Sequence, residues 1–162
     1  MKAQSYWITA LSLVIIMGIA GCRTFDQGPR VSFKKAEERV ANTWIVKEAV
    51  QNNVEITDRF DGGFLTFEVN RDFIILDVDW EVTIPPFGQD TVLTIGGGGT
   101  WDFLSDKNRI EILYTINYQD PYDANVNYTE ETYQQWEIEK LYEDEMWLRS
   151  TELNMTLHLE PF

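Results

Sequence analysis

The run from Phe73 to Ile84 alternates with a period of two. Ile74, Leu76, Val78, Trp80, Val82 and Ile84 fall on one side, and Phe73, Ile75, Asp77, Asp79, Glu81 and Thr83 on the other. Successive strand side chains point to opposite faces, so this is the pattern of a half-buried strand with its carboxylates in water. The pattern recurs along the chain. Leu65, Phe67 and Val69 alternate with Thr66 and Glu68. Ile110, Ile112, Tyr114, Ile116 and Tyr118 alternate with Glu111, Leu113, Thr115 and Asn117. Trp136 and Ile138 alternate with Glu137 and Glu139, and Met155, Leu157 and Leu159 with Thr156, His158 and Glu160. Trp44 and Val46 begin an earlier strand, Trp101 and Phe103 a middle one, and Met146 and Leu148 a late one.

Turn signals separate these runs. Asp61-Gly62-Gly63, Asn70-Arg71-Asp72, Ser105-Asp106-Lys107-Asn108 and Tyr142-Glu143-Asp144-Glu145 are short enough for hairpins. Pro85-Pro86-Phe87-Gly88 begins a longer excursion, and Gln119 to Thr129 is the longest polar loop. About eight strands joined mainly by hairpins predict antiparallel neighbours in up-and-down order. An open sheet would leave its edges exposed, and closure removes them. The predicted fold class is all-β, an eight-stranded antiparallel up-and-down barrel with one short N-terminal helix. That helix is expected over Ser32–Val40, with Ser32 as N-cap and Lys35 where a capping box would place Glu.

The N-terminus has a different character. Lys2 gives a positive start, an apolar run extends from Trp7 to Ala20, and Ile19-Ala20-Gly21-Cys22 ends it. This is the layout of a secretory signal peptide. The run is shorter than the roughly 20 apolar residues a spanning helix needs. With cysteine at the cleavage site it resembles the lipobox of bacterial lipoproteins. The resemblance implies cleavage before Cys22, a diacylglycerol thioether on its sulfur, and acylation of its new amino group, palmitate being the type of chain expected. Each buried methylene contributes about 0.8 kcal/mol, so two or more chains hold a protein stably. The domain plan is therefore a signal peptide over 1–21, a tether over 22–31 containing Gly28-Pro29, and one barrel domain over 32–162. Arg23 after Cys22, where an Asp would mark retention, resembles the signal for the outer membrane of Gram-negative cells. The expected location is the cell envelope.

Composition narrows the partners. Cys22 is the only cysteine, so packing must hold the fold without an intramolecular disulfide. The formal net charge is −14. Such a chain is repelled by phosphate backbones and anionic bilayer surfaces, which excludes nucleic acid as a partner.

Catalytic constellations are not expected, and the chain is read as no enzyme. His158 is the only histidine and lies on the solvent side of its strand, so neither a histidine-based triad nor a multi-histidine zinc site is available. Asp77, Asp79 and Glu81 read as a solvated outer face rather than a cation site. Asp120, Asp123, Glu130 and Glu131 lack the spacing and glycine of a calcium loop. Gly96-Gly97-Gly98-Gly99 lacks the Lys-Ser/Thr of a phosphate loop and leads into a strand. It reads as a bent approach to the Trp101 strand. Asn127-Tyr128-Thr129 and Asn154-Met155-Thr156 match the glycosylation sequon by chance. No metal and no cofactor are expected.

Functional content concentrates in the inward set Trp44, Phe67, Trp80, Trp101, Phe103, Tyr114 and Trp136. These residues either fill the barrel or line a cavity that binds a small hydrophobic ligand such as a lipid or porphyrin.

Asn42-Thr43-Trp44, Gly99-Thr100-Trp101, Glu145-Met146-Trp147-Leu148-Arg149 and the closing Leu157-His158-Leu159-Glu160-Pro161 make Val40 to Phe162 resemble the lipocalin-like domains of small bacterial lipoproteins. The resemblance implies a calycin-type barrel. Lipocalins proper carry Gly two residues before the first-strand Trp, where this chain has Asn42. Two functions are expected from these features. One is a membrane-anchored binding module for a hydrophobic ligand. The other is a structural or assembly accessory whose filled barrel meets an envelope protein partner, with Phe87 and Tyr122 in loops as contacts. A continuous cavity of about 300 Å³ separates them.

Overall fold

A computed structural model describes residues 34–84, 89–104, 107–120, 125 and 127–162, with the backbone alone at 80–84 and 89–91. The segments read as a signal peptide and a tether, with Cys22, Ser32, Phe87 and Tyr122, lie outside the described residues. So do the side chains of Trp80, Glu81, Val82 and Ile84.

Among the described residues, nine strands follow one short helix, α1 (Ala36–Val40). They are β1 (Asn42–Gln51), β2 (Val54–Glu55), β3 (Phe64–Phe67), β4 (Asp72–Ile84), β5 (Gln89–Phe103), β6 (Arg109–Gln119), β7 (Asn127–Leu141), β8 (Met146–Ser150) and β9 (Met155–Pro161). A single-turn 3₁₀ helix, Thr57–Phe60, stands between β2 and β3. Consecutive strands from β3 to β9 pair antiparallel, and β1 joins β3 to β9. The result is a closed eight-stranded antiparallel barrel, with the two-residue β2 as an accessory to β1.

The seam at β1 is uneven. Its long edge pairs with β9 from Trp44↔Pro161 to Gln51↔Met155. Its other edge meets β3 only over Asn42–Trp44. The chain between Gln51 and Phe64 fills the gap. The Ile56 amide donates to Ala49 O at 2.8 Å, and the Ala49 amide donates to Thr57 Oγ1 at 3.0 Å. Ile56 and Phe60 turn inward and are buried. Neither β2 nor the 3₁₀ turn was anticipated from the sequence, because this polar stretch shows no strand period.

Strands with unbroken alternation behave as expected. Ile110, Ile112, Tyr114, Ile116 and Tyr118 are all buried, as are Trp136 and Ile138, Met146 and Leu148, and Met155, Leu157 and Leu159. β4 departs from the expected phase. Phe73, Ile75 and Val78 are buried, whereas Leu76 is exposed and Ile74 only half-buried. The pairing passes from Ile75↔Gly97 to Val78↔Ile95, so β4 carries an extra residue there, and Asp77 has φ +54°. A bulge of this kind moves every preceding side chain to the opposite face. A second irregularity between Val46 and Glu48 brings Ala49 inward.

Three further expectations are corrected. The helix is shorter than expected: Lys34 and Lys35 are not helical, and it covers Ala36–Val40, with Lys35 as N-cap and the Lys35 amide donating to Glu38 Oε2 at 3.4 Å. Val69 is outside β3, in the turn before β4, and 72% exposed. Asp61-Gly62-Gly63 joins the 3₁₀ helix to β3 rather than two strands.

The four consecutive strands β4–β7 include the longest in the barrel, and β4 and β5 outrun their other partners. β5 pairs with β6 only as far as Gly96↔Asn117, while β4 and β5 remain paired to Ile84↔Gln89. Among the described residues, the strands of this arm are hydrogen-bonded only to each other. Val78 and Ile95, facing partners at its base, are buried and join it to the core. The arm lies at the opposite end of the barrel from α1.

Candidate functional site

The barrel interior is the first candidate. Inward-facing Phe67, Phe73 and Trp101 form a run of ring contacts: Phe67–Phe73 at 5.0 Å and Phe67–Trp101 at 5.7 Å. Phe103 continues it, 5.6 Å from Trp101. Trp44 and Trp101 are buried, and both indoles are tied to backbone. Trp44 Nε1 donates to Val40 O at 2.9 Å, and Trp101 Nε1 donates to Glu68 O at 3.0 Å. These bonds satisfy the one polar atom each indole brings inside, so the two rings close the α1 end of the barrel.

Phe67, Tyr114 and Trp136 come together deeper in the barrel, around a cavity of about 30 Å³. Phe60, Phe73, Leu148 and Leu157 line its apolar part. Gln134 supplies a polar group, is buried, and accepts a hydrogen bond from Trp136 Nε1 at 3.2 Å. Burial, with a contribution from the Glu130 charge, pushes the Tyr114 phenol well above its ordinary pKa, opposed by a hydrogen bond with Gln134. A cavity of this size holds a water, for which about 10–15 Å³ suffices, and falls well short of the roughly 300 Å³ of a small-molecule pocket. Gln134 went unremarked in the sequence, although it lies two residues before Trp136 and so shares its inward face.

Arg71 sits outside this end and links several elements. It lies in the β3–β4 turn with φ +77°, and its amide oxygen accepts from the Trp101 amide at 2.9 Å. Its guanidinium stands 4.5 Å from the centroid of the Trp101 ring, 3.7 Å from Asp102 Oδ1 and 4.0 Å from Glu37 Oε1. Lys107 reaches the same Glu37 oxygen at 3.5 Å. Glu37 is held below the ordinary carboxylate range first by its backbone hydrogen bond, and also by Lys107 and Arg71, against the opposing effect of burial.

The second candidate is a groove on the outer wall over β5–β7, about 330 Å³ in volume. The outward positions of β5 here are Gly98 and Thr100, which leave a trough beside the larger side chains of β6 and β7. Thr100, Leu113 and Tyr133 face one another across the strands in register, with Asp102 and Glu111 paired in the next row. Leu113 is 42% exposed and Tyr133 49%. The Tyr133 hydroxyl donates to Glu111 Oε2 at 2.9 Å, and Arg71 stands at the far end of the groove.

His158 lies on the outer wall as expected, but it is not isolated. Its ring stacks on Trp147 at 4.1 Å, and Nδ1 lies 2.8 Å from Glu48 Oε2. Lys140 covers Trp147 from another direction, at 4.5 Å from the ring centroid. Lys140, Trp147, His158 and Glu48 are in register across β7, β8, β9 and β1, an arrangement no local motif announces. Asp77 is exposed at the bulge, and Asp79 accepts a hydrogen bond from Thr94 Oγ1 at 2.6 Å. Among the described residues, no His, Cys, Asp and Glu side chains assemble as a metal-ligand set, and no helix is long and apolar enough to cross a membrane.

Comparison with protein-family models, with curated proteins and with solved structures finds no match to this chain.

Proposed function

We propose that this chain is a lipid-anchored envelope protein whose barrel is a filled, non-enzymatic scaffold that presents its outer wall to a protein partner. The observation that carries the reading is that, among the described residues, the large inward aromatics converge around a cavity of only about 30 Å³. Trp44 and Trp101 contribute to packing and closure, and Phe67, Tyr114 and Trp136 pack around the residual space. The lipobox-like Ile19-Ala20-Gly21-Cys22 supports anchoring, through lipid on Cys22, and Arg23 favours the outer membrane. Kinship with lipocalin-like lipoproteins belongs to the same reading and rests on the short motifs around Trp44, Trp101 and Trp147.

Native mass spectrometry of the full chain, isolated in mild detergent from a lipid-rich host extract, tests the scaffold. The expected spectrum is one mass for the chain beginning at Cys22 with its acyl groups. A further discrete mass, lost on denaturation, overturns the filled-scaffold reading in favour of a carrier for a small hydrophobic ligand. Cys22→Ser is expected to release the protein from the membrane fraction, and retention there refutes the anchor.

A further inference from the structure

We propose that the outer-wall groove over β5–β7 is the docking site for a cationic anchor, an arginine or lysine side chain on an extended segment of a partner protein. This rests on the scaffold reading above and names the chemistry of its partner. The groove combines three features. Leu113 and Tyr133 are large, in register and substantially exposed, and together they offer an apolar and aromatic surface. Asp102 and Glu111 lie directly opposite each other in neighbouring strands. Like charges in that relation repel, and a cation placed between them relieves the repulsion. The concavity of about 330 Å³ has room for a long side chain.

The geometry gives each residue a part. The aliphatic stem of the incoming side chain lies over Thr100 and Leu113, and the Tyr133 ring offers its face to the cation. The head group reaches Asp102 and Glu111. Arg71 already stands 3.7 Å from Asp102 Oδ1 at one end, and Glu111, half-buried and held by the Tyr133 hydroxyl, lines the groove at the other. Exposed aromatic and aliphatic residues with a charged rim are the anatomy of an interface centre.

Charge distribution identifies the occupant. From Asp72 to Asp106, and again from Ile110 to Glu139, the chain contains no Lys, Arg or His, while Asp and Glu recur throughout. These stretches build almost all of β4–β7, so this wall repels a second acidic copy and attracts a basic partner.

The test uses the full chain in nonionic detergent and a fluorescein-labelled decapeptide of alternating arginine and leucine, with a glutamate–leucine peptide as control. Fluorescence anisotropy is expected to show binding of the arginine peptide alone. Glu111→Gln and Tyr133→Ala are each expected to weaken it at least tenfold, with thermal unfolding unchanged within a few degrees. Glu152→Gln removes the same charge from the β8–β9 turn and is expected to leave binding within twofold. No binding at millimolar peptide overturns the proposal. Equal weakening by Glu152→Gln also overturns it, since net charge alone then acts. Self-association abolished by Tyr133→Ala overturns it in favour of a second copy. Peptide binding that survives discovery of an interior ligand separates failure of the scaffold reading from failure of the groove.

Discussion

The rings of Phe73 and Tyr114 meet edge to face at 5.5 Å across Gly99, whose Cα pairs with both Phe73 on β4 and Tyr114 on β6. The contact exists because the strand between them contributes no side chain. An added Cβ on Gly99 would lie 2.0 Å from Leu113 O, while one on Gly98 would lie 3.4 Å from its nearest neighbour. Gly99→Ala is therefore expected to destabilise the barrel by about 3 kcal/mol, the upper range for overpacking. Gly98→Ala is expected to change stability by less than about 0.5 kcal/mol. The midpoints of urea unfolding, compared at equal slope, check both.

Arg71 holds a backbone conformation with φ +77° and covers Trp101. Removing the side chain loses a cation–π contact of about 0.5–1 kcal/mol at a partly exposed site. Alanine leaves the backbone strain in place, whereas glycine relieves it. Arg71→Gly is thus expected to be more stable than Arg71→Ala by about 1 kcal/mol. Equal stabilities by chemical denaturation would show that the positive φ carries no cost.

Burial raises the Tyr114 phenol above its unfolded value, with the Glu130 charge adding to the shift. The folded state therefore binds its proton more tightly than the unfolded state. Its contribution to stability is complete below about pH 10, the unfolded value, and declines as pH rises from there towards the folded value. Wild-type protein is expected to lose stability steeply above about pH 10. Tyr114→Phe is expected to be less stable near neutrality, through the lost bond to Gln134, and to show a shallower alkaline decline. Tyr118 is raised by burial and Glu130 in the same direction, so some slope remains. Urea midpoints across pH 8–11 measure the difference.

The buried amide of Gln134 accepts from the Trp136 indole. Gln134→Leu preserves volume but leaves that N–H without its acceptor, and is expected to cost about 1–3 kcal/mol. Trp136→Phe in the same background removes the orphaned donor and is expected to recover part of the loss beyond simple additivity, measured as a double-mutant cycle.

In the arm, β4 beyond Val78 and β5 before Gly96 have no third strand beside them among the described residues. Alternate amides on each free edge therefore lack a ladder partner. Hydrogen exchange followed by NMR is expected to be orders of magnitude faster at those amides than at Ile110–Ile116 of β6. Uniform protection along the arm would mean that another strand covers it.

Much of this fold was legible in the chain. The uninterrupted alternation from Ile110 to Tyr118 and in β8 and β9 assigned inside and outside correctly, because a period of two admits only two phases. Short hairpin connections implied up-and-down neighbours, and the need to remove sheet edges implied closure. The inward character of Trp44, Phe67, Trp101, Tyr114 and Trp136 followed from the same periodicity, and their burial agrees with it.

Tertiary structure alone decided the rest. Phase in β4 depended on the bulge at Asp77, where one extra residue exchanges the faces of Phe73–Ile75, and alternation on either side does not reveal it. The four glycines, read as a bend, are constrained by neighbours far away in sequence: added Cβ atoms at Gly97 and Gly99 would meet the backbone of Thr115 and Leu113. The outer groove and the row from Lys140 to Glu48 join residues that are neighbours only through strand register. Local periodicity determines which way a side chain points along its own strand. Which side chains stand together, and how much space remains between them, depends on register, curvature and closure, which arise only when all the strands are paired.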